Sequence, residues 1–389
     1  MTVDIGSDVS GDPHCRRSRR AESACLARLY RADCAGYPVG VKIVSTTLTG
    51  NNADIIADAL RSVVEWVDVC LVIDTGVGDE TLQVAESVAG SKYVLRRFQW
   101  TQDFAAARNF ALDTAHELGG DWAITIDTDE RIQLNGEDLR ELMAQASEGV
   151  LMLYDEGRSY AKERCFRLPA QVRFEGPTHE SFAGYRVGCR TLERATFREL
   201  GKSPATLRRK FERDIEILTQ YTRAHPEDPR WFYYLADSLK NLGKLPEAIL
   251  AYDACAALRG WNEESAWACY RAAECLCELR RFREAMDRCA LGLARHAGIA
   301  ELAWLASFAA YQLGDHAQAV YWARLAIPHG LFAGDGASVP RIGFRNLAAL
   351  YEGPYDILRF AARQLGDTAG ADAAEQAYQR ASAVRNALR

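Results

Sequence analysis

From Val41 the chain alternates short apolar runs with amphipathic stretches, the pattern of a mainly parallel sheet covered by helices. Val41 to Thr46 predicts a first strand. Ala53 to Trp66 predicts a helix with Ile56, Leu60, Val63 and Val64 at three- and four-residue spacing, and Val69 to Ile73 completes a βαβ unit. Glu80 to Ala89 reads as a second helix and Lys92 to Phe98 as a strand. Phe104 to Leu118 reads as a third helix, opened by Gln102-Asp103 and closed by Gly119-Gly120. Trp122 to Ile126 is another buried strand.

Past Arg198 the strand signals stop, and helices rich in Ala, Leu, Glu and Arg run to the end. Within them Leu-Gly or its equivalent is followed five residues later by Ala: Leu242-Gly243 with Ala248, Leu279-Arg280 with Ala285, Leu313-Gly314 with Ala319, Leu365-Gly366 with Ala371. The alanines are 37, 34 and 52 residues apart, close to the 34-residue tetratricopeptide period with an insertion at Gly330 to Pro340. Each unit should be a helix pair whose small residue permits close approach, with Leu235, Tyr252, Phe282 and Leu313 filling the layers. A generic helical bundle is the plainer alternative.

The chain has 389 residues, enough for two domains, and a hydrophobic fraction of 48% with 26% charged, as in ordinary globular proteins. A net charge of −6 argues against bulk electrostatic binding to nucleic acid or anionic lipid. The 11 cysteines fall largely at apolar helical positions such as Cys255, Cys269 and Cys289, which suits reduced, buried thiols. Neither Cys275 and Cys277 nor His14 and Cys15 has the spacing of a metal or redox motif. With no apolar signal core and no bilayer-length apolar stretch, the expected location is cytoplasmic, with no membrane span. Residues 1–38, acidic and then Arg-rich, read as an N-terminal extension.

The strongest chemical signal is Ile124-Thr125-Ile126-Asp127-Thr128-Asp129-Glu130, an apolar strand that ends in acids. Open α/β sheets bind ligands at the carboxyl ends of their strands, and one or two carboxylates there can hold Mg²⁺ or Mn²⁺ together with substrate phosphates. Taken alone, a solvated acidic turn would look the same. Val69 to Ile73 likewise runs into Asp74, placed to accept hydrogen bonds from a base or ribose, or else to form an ordinary strand-to-helix turn with Asp79 as cap. Arg108, one turn beyond Phe104, is positioned to pair with a phosphate or with Asp127.

The succession Asn51, Asp74-Thr75-Gly76, Trp100, Asp103-Phe104, Ala107-Arg108-Asn109, Asp121-Trp122 and Asp127-Thr128-Asp129-Glu130 resembles family 2 glycosyltransferases, in the bacterial and phage branch that carries tetratricopeptide repeats. The resemblance continues through Cys165-Phe166-Arg167, Val172 to Glu180, Arg213-Asp214, Trp231 to Ala236 and Gly260 to Glu264. It implies a Rossmann-like α/β GT-A domain over residues 39–200 followed by an all-α tetratricopeptide-like domain over 201–389. Two departures stand out. Gly50-Asn51-Asn52 replaces the Lys-Asn-Glu of the branch, and Val77-Gly78-Asp79 replaces its Ser-Thr-Asp.

By that resemblance Thr47 and Asp74 contact the nucleoside, Arg108 supports the diphosphate, Asp127 and Asp129 handle ribose and metal, and His179 adds a metal or diphosphate ligand. Glu180 is the candidate general base, with Asp155, Glu156 and Glu163 as rivals. The implied activity is metal-dependent, inverting transfer of a sugar from a UDP- or GDP-sugar to an acceptor. Relatives suggest a protein or peptide acceptor; a glycan or modified nucleic acid is the alternative, and a homodimer through the repeats is a further expectation. A binding scaffold with a degenerate catalytic domain competes with this reading. A nucleotidyltransferase does so less well, because Leu48 to Asn52 is not the Gly-rich basic loop such enzymes carry.

Overall fold

The computed structural model describes residues 40–158, 160–183, 188–258, 260–332 and 345–387, and from Lys42 onward they belong to one compact unit. The extension expected over residues 1–38 and most of the insertion before the last repeat lie outside these residues.

The first half of the sheet is the predicted parallel set. β1 (Ile43–Thr49) lies between β2 (Val69–Asp74) and β4 (Trp122–Thr125), and β2 pairs onward with β3 (Tyr93–Arg97), all parallel. β1 is rich in β-branched residues and almost wholly buried, as a strand covered on both faces requires. Two acids fix its start: Ile43 N donates to Asp68 Oδ2 (2.7 Å) and Lys42 N to Asp121 Oδ2 (2.8 Å). Asp121, part of the recognised Asp-Trp pair, thus ties strand ends together.

Helices α1 (Ile56–Arg61), α2 (Thr81–Ala89) and α3 (Phe104–Glu117) connect these strands. Asp103 caps α3 by accepting from Ala106 N at 2.9 Å. Asp79 accepts from Thr81 N (2.9 Å), so it closes the turn before α2 without the hydroxyl usual in the branch.

The second half of the sheet is mixed. In the order β3-β2-β1-β4-β7-β6-β10-β5, β7 (Ala161–Arg167) runs antiparallel to β4 and to β6 (Val150–Asp155). β10 (Cys189–Glu199) is parallel to β6 and antiparallel to β5 (Glu130–Gln133) at the edge. Helix α4 (Leu139–Gln145) follows β5, and a separate hairpin, β8 (Arg173–Glu175) with β9 (Ser181–Ala183), lies against α3. Asn109 of α3 pins it, donating from Nδ2 to Phe174 O (2.9 Å) and accepting from Phe174 N (3.0 Å).

Behind β10 the described chain is helical. α5 (Pro204–Ala224) starts at Ser203, whose Oγ accepts from Thr206 N, with Pro204 at its first position. Antiparallel hairpins follow: α6 (Pro229–Asn241) with α7 (Leu245–Leu258), α8 (Asn262–Glu278) with α9 (Phe282–Arg295), and α10 (Ala300–Gln312) with α11 (His316–Ala326). After the short α12 (Leu347–Leu350) comes α13 (Gly353–Gln364) with α14 (Thr368–Asn386).

The repeat read from sequence is physical. Ala248, Ala285, Ala319 and Ala371 are each fully buried, where a larger side chain would push the paired helices apart. The hairpin tips turn through left-handed residues, Gly243, Gly314 and Gly366, and at the same place Arg280 is held at φ 59° without glycine's freedom. Leu235 and Tyr252 are buried and Phe282 packs on the core, but Leu313 does not fill a layer. It ends α10 at a hairpin tip and is 42% exposed.

Candidate active site

The site begins where three parallel strands end. Asp74 closes β2 and Asp127 lies two residues beyond β4, with β1 between them, which sets their backbones roughly 10 Å apart. Asp74 Oδ1 accepts from the amides of Gly76 and Val77, both at 2.8 Å. Burial would push its carboxyl up, but those amides and Arg97 outweigh it and hold it below the usual value. Thr47, in mid-β1, is fully buried and its Oγ1 has no partner among the described residues.

Arg108 is the hub. Its Nη2 donates to Asp127 Oδ1 at 2.9 Å, its Nε lies 3.4 Å from Glu180 Oε1, and its guanidinium sits 5.7 Å from the centre of the Phe174 ring. Of the two pairings expected for Arg108, the structure shows the one with Asp127. Arg164 of β7 approaches the other oxygen of Asp127 at 3.6 Å. Burial opposes ionisation of Asp127, yet the two guanidiniums prevail and draw its carboxyl down to about 2.

The adjoining acid turn is tightly built. Glu130 is 1% exposed and pairs with Arg164, with Lys162 at 3.6 Å; burial still pushes its carboxyl up. Arg131 fastens the turn to the sheet's other connection by donating to Thr128 O (2.9 Å) and Ile55 O (3.0 Å). Asp129 carries an ion pair with Lys202 at 2.6 Å, and its carbonyl accepts from Leu200 N at 2.8 Å. Lys202 lies in the link between β10 and α5.

His179 and Glu180 lie in the loop before β9, but only Glu180 reaches Arg108. The His179 imidazole turns the other way, with Nε2 3.6 Å from Asp214 Oδ2 of α5. Asp127, Asp129 and His179 therefore do not form the three-ligand set implied by resemblance. No group of three or more His, Cys, Asp or Glu arranged to hold a metal occurs among the described residues. Each of the three has a different partner: two arginines, a lysine and a buried aspartate.

Of the rival bases, Asp155 shapes the β6–β7 turn by accepting from Tyr160 N (2.8 Å) and Gly157 N (3.1 Å). Glu156 lies 3.9 Å from Arg198 and is more than half exposed. Sequence reasoning missed Arg164, Lys162 and Lys202. The one signal for Arg164 was a charge adjoining Cys165 and Phe166 in a strand that is otherwise buried.

Residues 47–190 match the family model described as Glycosyl transferase family 2. A tetratricopeptide-repeat-containing protein of Synechococcus elongatus is 34% identical over 137 residues, covering 33% of this chain and 32% of that protein. The SPbeta prophage-derived glycosyltransferase SunS of Bacillus subtilis is 25% identical over 212 residues, covering 51% of this chain and 49% of SunS. The chain thus spans between a third and a half of the length of the curated relatives it matches. Among solved structures MamA is similar over 48% of this chain and 99% of its own at 14% identity; its TM-score of 0.38 is too low to bear on the fold. Residues 47–190, which hold the parallel strands and the acids at their ends, are thus similar to glycosyl transferase family 2.

Proposed function

We propose that the chain transfers a sugar, with inversion, from a nucleoside diphosphate sugar to an acceptor hydroxyl or thiol. The observation that carries this reading is Arg108 joining Asp127 and Glu180 at the carboxyl ends of β1, β2 and β4. That is the edge where open α/β sheets receive nucleotides.

In this reading the nucleoside lies against Thr47 and Asp74. The orphan Thr47 Oγ1 and the acceptor-only Asp74 carboxylate suit hydroxyl and ring N–H partners of a UDP- or GDP-sugar. Arg108 has a second N–H group, Nη1, without a partner among the described residues, which suits a phosphate oxygen of the donor. Asp129 and Asp127 would hold Mg²⁺ or Mn²⁺ together with the donor's phosphates, where such a cation neutralises the departing diphosphate as a Lewis acid. Two carboxylates suffice for an ion that keeps substrate oxygens and waters in its shell, so the donor set fits without His179.

Glu180 takes the acceptor's proton as the acceptor oxygen or sulfur bonds to the anomeric carbon. The bond from that carbon to the diphosphate oxygen breaks and its electron pair leaves with the nucleotide. We propose a protein or peptide segment as acceptor, because stacked helical hairpins present an extended surface suited to an extended chain. Cys70, Cys165, Cys255, Cys269, Cys275, Cys277 and Cys289 are free thiols, which suits the cytoplasm, and none of the described helices is long and apolar enough to cross a membrane.

Incubation of the full chain with a panel of UDP- and GDP-sugars, with and without Mn²⁺, tests this reading through acceptor-independent donor hydrolysis. One donor should be hydrolysed with Mn²⁺, and Asp129→Ala should abolish the Mn²⁺-dependent part. Unchanged Mn²⁺ dependence in Asp129→Ala would remove the metal from this carboxylate. No hydrolysis of any donor would favour the scaffold reading.

A further inference from the structure

We propose that the first two helices behind the sheet, α5 and α6, belong to the catalytic apparatus: Asp214, Arg213 and Tyr234 are positioning residues that set the Arg108–Glu180 pair. The inference rests on Glu180 and Arg108 having the roles given above.

His179, next to Glu180, has φ 53°, a left-handed conformation uncommon outside glycine that costs energy unless its surroundings hold it. Two helical residues enforce it here. The imidazole lies flat on the Tyr234 ring, with centroids 4.4 Å apart and planes 3° from parallel, and its Nε2 faces Asp214 Oδ2 at 3.6 Å. Asp214 is fully buried and cannot yield. Its Oδ2 accepts from Lys210 Nζ at 2.6 Å, and its Oδ1 accepts from Arg213 Nε (3.1 Å) and Nη2 (2.8 Å).

The same helix grips the other half of the pair. The Arg213 guanidinium lies 4.9 Å from the centre of the Phe104 ring. Phe104 opens α3 one turn before Arg108, and its amide donates to Pro177 O at 2.8 Å. Between Pro177 and β8, Gly176 has φ 97°, and a Cβ there would come within 1.9 Å of Trp231 in α6. The loop from Gly176 to Glu180 is therefore seated on α6 and tied to α5, while α5 also bears on the start of α3. The Arg108–Glu180 separation of 3.4 Å is the joint result. A shift of α5 and α6 would move the base relative to the cation, so whatever binds the helical region has a mechanical route to the chemistry.

The test uses the full chain and the hydrolysis of its donor, with kcat and KM measured separately. Tyr234→Phe keeps the aromatic face, Tyr234→Leu removes it, and Asp214→Asn weakens the anchor while keeping its shape. Tyr234→Phe should match the wild type. Tyr234→Leu and Asp214→Asn should each lower kcat by about tenfold or more with KM for the donor within about threefold, because geometry and not donor contact is altered. Wild-type kcat in both variants overturns the proposal, and so does an equal loss in Tyr234→Phe, which would assign the effect to the hydroxyl bonded to Arg230. A wild-type chain that hydrolyses no nucleotide sugar overturns the reading beneath it, an outcome separate from normal turnover in the variants.

Discussion

Charges are buried in both halves of the molecule, but differently. Between the later hairpins some pair one to one: Glu301 of α10, fully buried, accepts from Arg345 Nε (2.6 Å) and Nη2 (2.7 Å), and the half-buried Asp253 takes both ends of Arg288 at 2.7 and 2.8 Å, although nearer the sheet Asp214 and Arg271 each have more than one partner. At the strand ends of the sheet the central cations are shared. Arg108 serves Asp127 and Glu180, Arg164 serves Asp127 and Glu130, and Lys162 lies by Glu130 and Glu199. A one-to-one pair satisfies its members and holds helices together. A shared cluster leaves its members able to exchange partners, which a site that must admit a phosphate requires.

The contrast predicts that two charge deletions separate activity from stability. Arg108→Ala should lower donor turnover by on the order of a hundredfold or more, the usual cost of removing a preorganised charge donor, while Arg164 still compensates Asp127. Glu301→Ala should leave donor turnover nearly unchanged but destabilise the helical region by about 3 kcal/mol, since it removes the fully buried partner of the part-buried Arg345. Parallel turnover and urea-unfolding measurements decide. Equal loss of activity in both variants would erase the distinction.

A smaller effect is expected at Lys202, the cation a divalent ion must displace from Asp129. Lys202→Met should lower the Mn²⁺ concentration for half-maximal donor hydrolysis by roughly two- to fivefold, in line with about 1 kcal/mol or less for a part-exposed pair. An unchanged Mn²⁺ titration would mean that the pair does not compete with the metal.

The smallest effect belongs to the repeats. Arg280 occupies the left-handed turn that glycine fills in the other hairpins, so Arg280→Gly should relieve strain and stabilise by roughly 1 kcal/mol or less, read as a higher urea midpoint. A lower midpoint would show that the Arg280 side chain contributes more than its backbone costs.

The parts legible in the sequence were those written locally. β1, β2 and β4 are contiguous apolar runs, and the acids that close them, Asp74 and Asp127, stand where such runs end. The repeat alanines were legible because helix approach demands a small residue at a fixed interval. The antiparallel half of the sheet was not, because β7 mixes Lys162, Glu163 and Arg164 with buried Cys165 and Phe166 and so breaks the period of a strand. The role of Lys202 depends on β10 ending beside the acid turn, a contact spanning 73 positions that no local pattern encodes. His179 shows the same limit. Its orientation is set by Asp214 and Tyr234, which belong to helices and leave no mark in the local pattern.

The central claim is that Glu180 acts on the proton and Arg108 on the charge of one reaction. Donor binding and donor turnover in Glu180→Gln test it most directly, with binding followed by titration of the nucleotide sugar in Mn²⁺ and turnover by release of the nucleotide. The account predicts a Kd within about threefold of the wild type and turnover reduced by roughly a hundredfold or more, as for loss of a general base. Wild-type turnover in Glu180→Gln, or donor binding lost in proportion to turnover, would contradict it.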